Sequence, residues 1–284
     1  MNRATVLHGR QLRDEDFVAV EAQTLESEQL LRVLEGRLAV LLVRHALSPS
    51  EASIITDRFW SSPGRQPRPD GVAGFYVGAY QYGKSFERYR AEIAASNEYV
   101  KMLFAGVQDP VALVIGQMRA AVGQDAEVRK ARWRDLDAAY ARALAWTAEG
   151  HYLLAPHDDL GQLSQPEQKD FEIQKARRNT VVAVNIYPKV PKPGGDLRFW
   201  NLIPDDSSRL ALGIEHTGYP YPPEALEQLP YLDVSVETGD IAIANGGLIH
   251  AVGGYGMDAD RAGERLIINF FLGHVTPRTV VHWV

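Results

Sequence analysis

Two histidines and an aspartate set the chemistry this chain can support. His157-Asp158-Asp159 puts an imidazole and a carboxylate at alternate positions. On an extended strand, or at its tip, such side chains point the same way. His250 follows far along the chain, and Arg265 after it. Two imidazoles and one carboxylate can occupy one face of a ferrous ion and leave the rest open to a co-substrate and dioxygen. The sequence has no cysteine, so thiolate sites, disulfides and cysteine nucleophiles are excluded. Metal ligands must come from His, Asp and Glu.

Context separates these histidines from the other six of the chain. His157 follows the apolar run Tyr152-Leu153-Leu154-Ala155-Pro156, which places it at a strand end. His250 follows the apolar Ile241-Ala242-Ile243-Ala244, then Asn245-Gly246-Gly247 and Leu248-Ile249. That order reads as a buried strand, a glycine turn and then a ligand; glycines let the backbone pass close to a bound group. Arg265 opens the run Leu266-Ile267-Ile268-Asn269-Phe270-Phe271. A 2-oxo acid that chelates iron leaves a far carboxylate in need of a buried cation, and a guanidinium meets it with two parallel hydrogen bonds. Asn245, Asn185 and Tyr187 lie on neighbouring strands as further polar contacts to that co-substrate. Plainer readings exist: a local Asx turn at Asp158-Asp159, and an outward ion pair of Arg265 with Glu264 or Asp260.

The elements that must position these groups follow from pattern. Leu25 to Glu35 reads as a helix and Leu38 to Val43 as a buried strand on a sheet edge. Ser48-Pro49-Ser50-Glu51 is a capping box for a helix running to about Trp60. Ser62 to Gly71 is a turn-rich loop, either mobile surface or part of a lid. Phe86 to Phe104 is helical, and Asp109-Pro110 opens a helix ending near Gly123; both are expected on the back of the sheet. From Tyr140 strand-like segments alternate with Gly/Pro turns: 140–147, 152–155, 180–187, 197–201, 232–236, 241–244, 265–272 and 279–283. Lys192 to Asp196 reads as a hairpin joining two of them. The expectation is an α+β single domain over residues 1–284. Residues 1–139 give mainly helical support and substrate-side elements, and 140–284 give a double-sheet jelly roll.

The order His157-x-Asp159, Gly195-Asp196-Leu197, Gly239-Asp240, Asn245-Gly246-Gly247, His250 and Arg265 resembles the iron(II)/2-oxoglutarate-dependent oxygenases. More narrowly it resembles the branch of N-succinyl-amino-acid hydroxylases and carrier-independent aliphatic halogenases. The resemblance spans roughly Tyr140 to the end, and more faintly the helices between Tyr82 and Val122. It implies a double-stranded β-helix, ferrous iron, 2-oxoglutarate and O2, with succinate and CO2 as co-products. It also implies His157, Asp159 and His250 on iron and Arg265 on the far carboxylate. Halogenases of the branch have Gly or Ala at the metal carboxylate, so Asp159 favours hydroxylation of an unactivated C–H bond. Asp158 as the ligand would depart from the family register.

For the substrate, the aromatic stretch Phe75 to Tyr82, with Tyr80, is a candidate pocket wall. Arg142 and Arg198 are candidate partners for an anionic group. The resemblance implies an amino-acid-like substrate, free or N-acylated, or a natural-product substrate, and convergence of these arginines would suit an acidic acylated amino acid. The net charge of −6 argues against a general nucleic-acid surface. No signal peptide or membrane span is read, so a cytoplasmic protein is expected, with a homodimer left open. Two alternatives remain: a cupin-like metal enzyme that does not use 2-oxoglutarate, in which Arg265 has nothing to hold, and a non-catalytic jelly-roll binding module that holds no metal.

Overall fold

The computed structural model describes residues 6–68, 73–146, 152–191, 194–254 and 265–284. Two sheets line opposite sides of a cavity of about 440 Å3. Among the described residues the larger has ten strands. Its main path runs Ala19–Ala22, Val40–Val43, Ile241–Asn245, Val181–Lys189, Arg265–Thr276, Arg142–Trp146, Gly74–Gly78 and Gln66–Pro67. The long Arg265–Thr276 strand pairs with Arg142–Trp146 along its first half and with Thr279–Trp283 along its second. The smaller sheet runs Tyr152–His157, Ile249–Gly253, Leu197–Trp200 and Tyr231–Val234, with every pair antiparallel.

The centre of the larger sheet is covered on both faces. Val40–Val43 and Ile241–Asn245 are buried at every position. One face meets the cavity, and the other packs against helices Ser27–Leu34 and Pro49–Ser61. Each fully buried Val, Leu or Ile there contributes about 1.5–3 kcal/mol. The helices begin where side chains satisfy free backbone N–H groups. Ser48 Oγ accepts from Glu51 N (3.3 Å), and Glu51 Oε2 accepts from Ser48 N (2.9 Å), the expected capping box. Asp109 Oδ1 accepts from Val111 and Ala112 N at the head of Pro110–Val122.

The mixed helix-and-sheet class agrees with expectation; several details do not. Besides the expected strand at Val40–Val43, the front half adds Ala19–Ala22 and Gly74–Gly78 to the larger sheet, neither of which was read as a strand. Val40–Val43 is not an edge strand, because Ala19–Ala22 adds to it in parallel. Lys192 to Asp196 does not close a hairpin: the strands on either side belong to different sheets, and residues 192–193 lie outside the described set. Ile249–Gly253 is a strand that pattern reading missed. The glycine turn was expected, but Gly246-Gly247 carries the chain from the larger sheet to the smaller, and the ligand His250 lies inside a second strand begun at Ile249. In the Ser62–Gly71 loop, Gln66–Pro67 pairs with Phe75 and Tyr76; residues 69–72, like Thr147, are not described. Among the described residues, no helix is long and apolar enough to cross a membrane.

Candidate metal centre

His157 and His250 face each other in register on adjacent strands of the smaller sheet. Their ring centroids are 4.1 Å apart. The His157 strand is an edge strand, where Pro156 costs no ladder hydrogen bond. Its register slips between Leu154 and His157, and such an irregularity re-aims a side chain. Asp159 follows the strand, and its N–H donates to Gly246 O (2.7 Å). One ligand atom from each of His157, Asp159 and His250 lies within 4.8 Å of the others. His250 Nε2 is 3.6 Å from Asp159 Oδ2.

The hydrogen bonds leave the metal-binding atoms free. His157 Nδ1 lies 2.9 Å from Ala155 O, and His250 Nδ1 lies 2.8 Å from Leu248 O. A carbonyl only accepts, so both Nδ1 atoms carry the proton and both Nε2 lone pairs remain available. Burial, then the neighbouring His250, holds His157 well below the usual imidazole range, which keeps it neutral. Burial pushes the Asp159 carboxyl up to about 6. Its Oδ1 accepts from Gln162 Nε2 (3.1 Å), while Oδ2 is buried with no partner. A desolvated carboxylate oxygen without a donor calls for a cation. This donor set suits a borderline metal with open positions.

Asp158 has a different task. It is buried, and Arg209 Nε and Nη2 donate to its two oxygens at 2.9 and 3.1 Å. Tyr221 OH donates to Oδ2 (2.6 Å), and the N–H groups of Leu160 and Gly161 donate to Oδ1. With every acceptor site used, Asp158 anchors the turn that presents Asp159 and is not placed as a ligand.

Across the cavity, Arg265 is 1% exposed and points inward. Its guanidinium donates to Gly195 O and lies 4.9 Å from the Tyr187 ring centre. Among the described residues no carboxylate pairs with it, and its Nε has no partner; Asp260 and Glu264 lie outside them. Asn185, Tyr187, Arg142 and Tyr80 also line the cavity. Arg142 lies 4.7 Å from the Tyr80 ring centre, and its Nε donates to Asn269 Oδ1 (3.1 Å). Two expected contacts turn elsewhere. Asn245 follows cavity-lining Ala244 and therefore faces the other side of the sheet, where its Oδ1 accepts from Gly247 N (3.1 Å). Arg198 lies between cavity-lining Leu197 and Phe199, so it points outward and forms two bonds to Asp233 (2.6 and 2.7 Å).

No protein-family model matches the chain. An L-isoleucine 3(1)-dioxygenase of Pantoea ananatis (strain AJ13355) is 31% identical over 211 residues, covering 73% of this chain and 69% of that protein. The chain belongs to the iron(II)/2-oxoglutarate-dependent dioxygenases. The fold agrees. An N-substituted L-amino acid dioxygenase from Burkholderia ambifaria AMMD superposes with a TM-score of 0.57 at 12% identity, covering 91% of both chains. Its complex with alpha-ketoglutarate gives 0.54 at 13%, again over 91% of both. At such identity the likeness is one of fold alone.

This dioxygenase also places residues at the site that sequence reading passed over. Asn269 sits opposite Asn185 and Arg142 in one transverse row of the larger sheet. Its alternation with Arg265 along the strand was an available signal. Arg68, Lys84 and Trp146 line the cavity, and Gln81 and Gln162 connect it to Asp159. Arg209, on the short helix Asp206–Leu212, and Tyr221, on a loop, reach Asp158 from far along the chain, and no spacing rule points to them.

Proposed function

We propose that this dioxygenase hydroxylates an unactivated C–H bond of a small aliphatic amino acid within a double-stranded β-helix domain formed by the two sheets. The convergence of His157, Asp159 and His250 at a cavity that also holds Arg265, which has no carboxylate partner among the described residues, carries the reading. The relative named for L-isoleucine supports the substrate class.

In this reading the Nε2 atoms of His157 and His250 and the Asp159 carboxylate hold the metal. Ferrous iron there supplies dioxygen activation coupled to oxidative decarboxylation of 2-oxoglutarate to succinate and CO2. Arg265 grips the far carboxylate of the co-substrate, with Tyr187 against the guanidinium and Asn185 alongside. Arg142, stacked on Tyr80, meets the substrate carboxylate at the other end of the cavity. Leu154, Leu197, Phe199 and Val252 form an apolar wall that takes the aliphatic side chain and excludes water. Because Asp159 would hold the metal where halogenases of the branch have Gly or Ala, hydroxylation is the reading over halogenation.

The test is anaerobic addition of Fe(II) and 2-oxoglutarate. A weak visible charge-transfer band is expected in the wild type and is expected to be lost in Asp159→Ala. Substrate-dependent succinate release is then screened over free and N-acylated aliphatic amino acids. A wild-type protein with no band and no succinate release sinks the proposal.

A further inference from the structure

Besides Asp159 Oδ2, a second buried acceptor of the cavity lining has no donor. Gln81 is 1% exposed and lines the cavity, and its Oε1 has no hydrogen-bond partner. Its orientation is forced from the metal centre outward. An ionised Asp159 can only accept, so Gln162 must donate to Oδ1 through Nε2 (3.1 Å). That turns Gln162 Oε1 toward Gln81, which must answer with its own Nε2 (3.1 Å). Gln81 Oε1 is thereby left over. The backbone around it is fixed as well: Gln81 N donates to Val284 O (3.1 Å), and Gln81 O accepts from Gln168 Nε2 (2.7 Å). Flipping the Gln81 amide would set its Oε1 against Gln162 Oε1, two acceptors face to face, so the polarity is locked.

The same cavity has Arg68, Lys84, Arg88 and Arg142 in its lining, with Lys84 and Arg88 also paired to Glu92. These groups suit a carboxylate. An unsatisfied neutral acceptor in the same cavity suits the positive group that an amino acid carries next to its carboxylate. We propose that Gln81 Oε1 accepts a hydrogen bond from the α-ammonium of the substrate and selects free amino acids over acids that lack the amine. The inference rests on the amino-acid reading above and names the residue that reads the nitrogen. The Asp159–Gln162–Gln81 chain polarises the acceptor, since each link points its carbonyl away from a carboxylate.

The experiment is anaerobic calorimetric titration of protein loaded with Fe(II) and 2-oxoglutarate. The probes are L-isoleucine, N-acetyl-L-isoleucine and 3-methylpentanoate, the same skeleton without nitrogen. Wild type is expected to prefer L-isoleucine to both other probes. Gln81→Leu should weaken L-isoleucine by roughly 10-fold or more, the loss typical of a buried polar contact to a charged group. It should leave 3-methylpentanoate within about twofold, since no contact to that ligand is removed. The readout is the ratio of the two affinities, since a merely structural role would move both ligands together. If Gln81→Leu weakens both ligands equally, or leaves the preference for L-isoleucine intact, the inference is overturned and the dioxygenase assignment stands. If wild type binds no aliphatic amino acid, the substrate reading fails and takes the inference with it.

Discussion

Gly246→Ala should loosen the metal without unfolding the protein. A Cβ built on Gly246 would sit 2.6 Å from Asp159 Oδ2 and 3.2 Å from Asp159 Cβ. Real Cβ atoms do not approach an oxygen that closely, so the carboxylate must move by several tenths of an ångström. Asp159 cannot swing freely, because its own N–H is held by Gly246 O (2.7 Å) and its Oδ1 by Gln162. The displacement therefore falls on Oδ2, the buried oxygen with no protein partner and the one nearest His250 Nε2. Disturbing the support of a metal ligand typically costs about 10- to 100-fold in affinity, or roughly 1.4–2.7 kcal/mol. Gly246 has no left-handed backbone conformation, so the effect is steric and not a matter of φ. Gly247→Ala is the matched control. Its Cβ would meet Asn245 Oδ1 and Leu160 Cδ1 at 3.2 Å and no ligand atom, so melting temperature should fall slightly while metal affinity holds. The assay is anaerobic Fe(II) titration followed calorimetrically, with far-UV circular dichroism to show that both variants fold. A folded Gly246→Ala protein that binds Fe(II) within twofold of wild type refutes the assignment of Asp159 as the carboxylate ligand.

Arg265→Met should raise the 2-oxoglutarate requirement by roughly 30-fold or more, the cost of truncating one side of a buried charge pair. Melting temperature without co-substrate should stay level or rise, since the arginine has no carboxylate among the described residues; an unchanged KM for 2-oxoglutarate counts against its role. Arg209→Met strands the buried Asp158 and should cost about 3–5 kcal/mol, read as a fall in melting temperature of order 10 °C. Adding Asp158→Asn should recover part of that loss, whereas strictly additive losses argue against a coupled pair. Lys84 gives a pH prediction. Burial, opposed in part by Glu92, lowers its ammonium to about 8. Between about 8 and the unperturbed value near 10.4 the unfolded chain holds that proton and the folded chain does not, so fold stability rises with pH there. Over the same window the cavity loses a cation. KM for a carboxylate substrate should therefore climb above about pH 8, and Lys84→Met should remove that limb of the profile.

The residues that were legible in the sequence, and those that were not, divide along a physical line. His157, Asp159, His250 and Arg265 stand out because imidazole, carboxylate and guanidinium are conspicuous among apolar strand residues and glycine turns. Their neighbours needed a parity, and the larger sheet hides it. Cavity residues fall on alternate positions: 142, 144 and 146; 183, 185 and 187; 265, 267, 269 and 271. A half-exposed strand would reveal that alternation as polar against apolar, but strands buried on both faces read as continuous apolar runs. Ile241–Asn245 is one such run, so nothing in it marks Ala244 as the inward residue and Asn245 as the outward one. Arg198 fell to the same ambiguity. Its flanking residues Leu197 and Phe199 are apolar because they face the cavity, not because they face a dry core. The His157 strand breaks parity altogether: Leu154 and His157 both line the cavity although three positions apart, through a register slip that only coordinates reveal. Gln81, Gln162, Arg209 and Tyr221 lie outside the strands that line the cavity, where the two-residue alternation does not apply. Yet two of them hold the Asp159 carboxylate in a hydrogen-bond chain, and two anchor the aspartate beside it. Candidate ligands can thus be found by residue type, whereas the groups that aim them follow from the path of the chain in space.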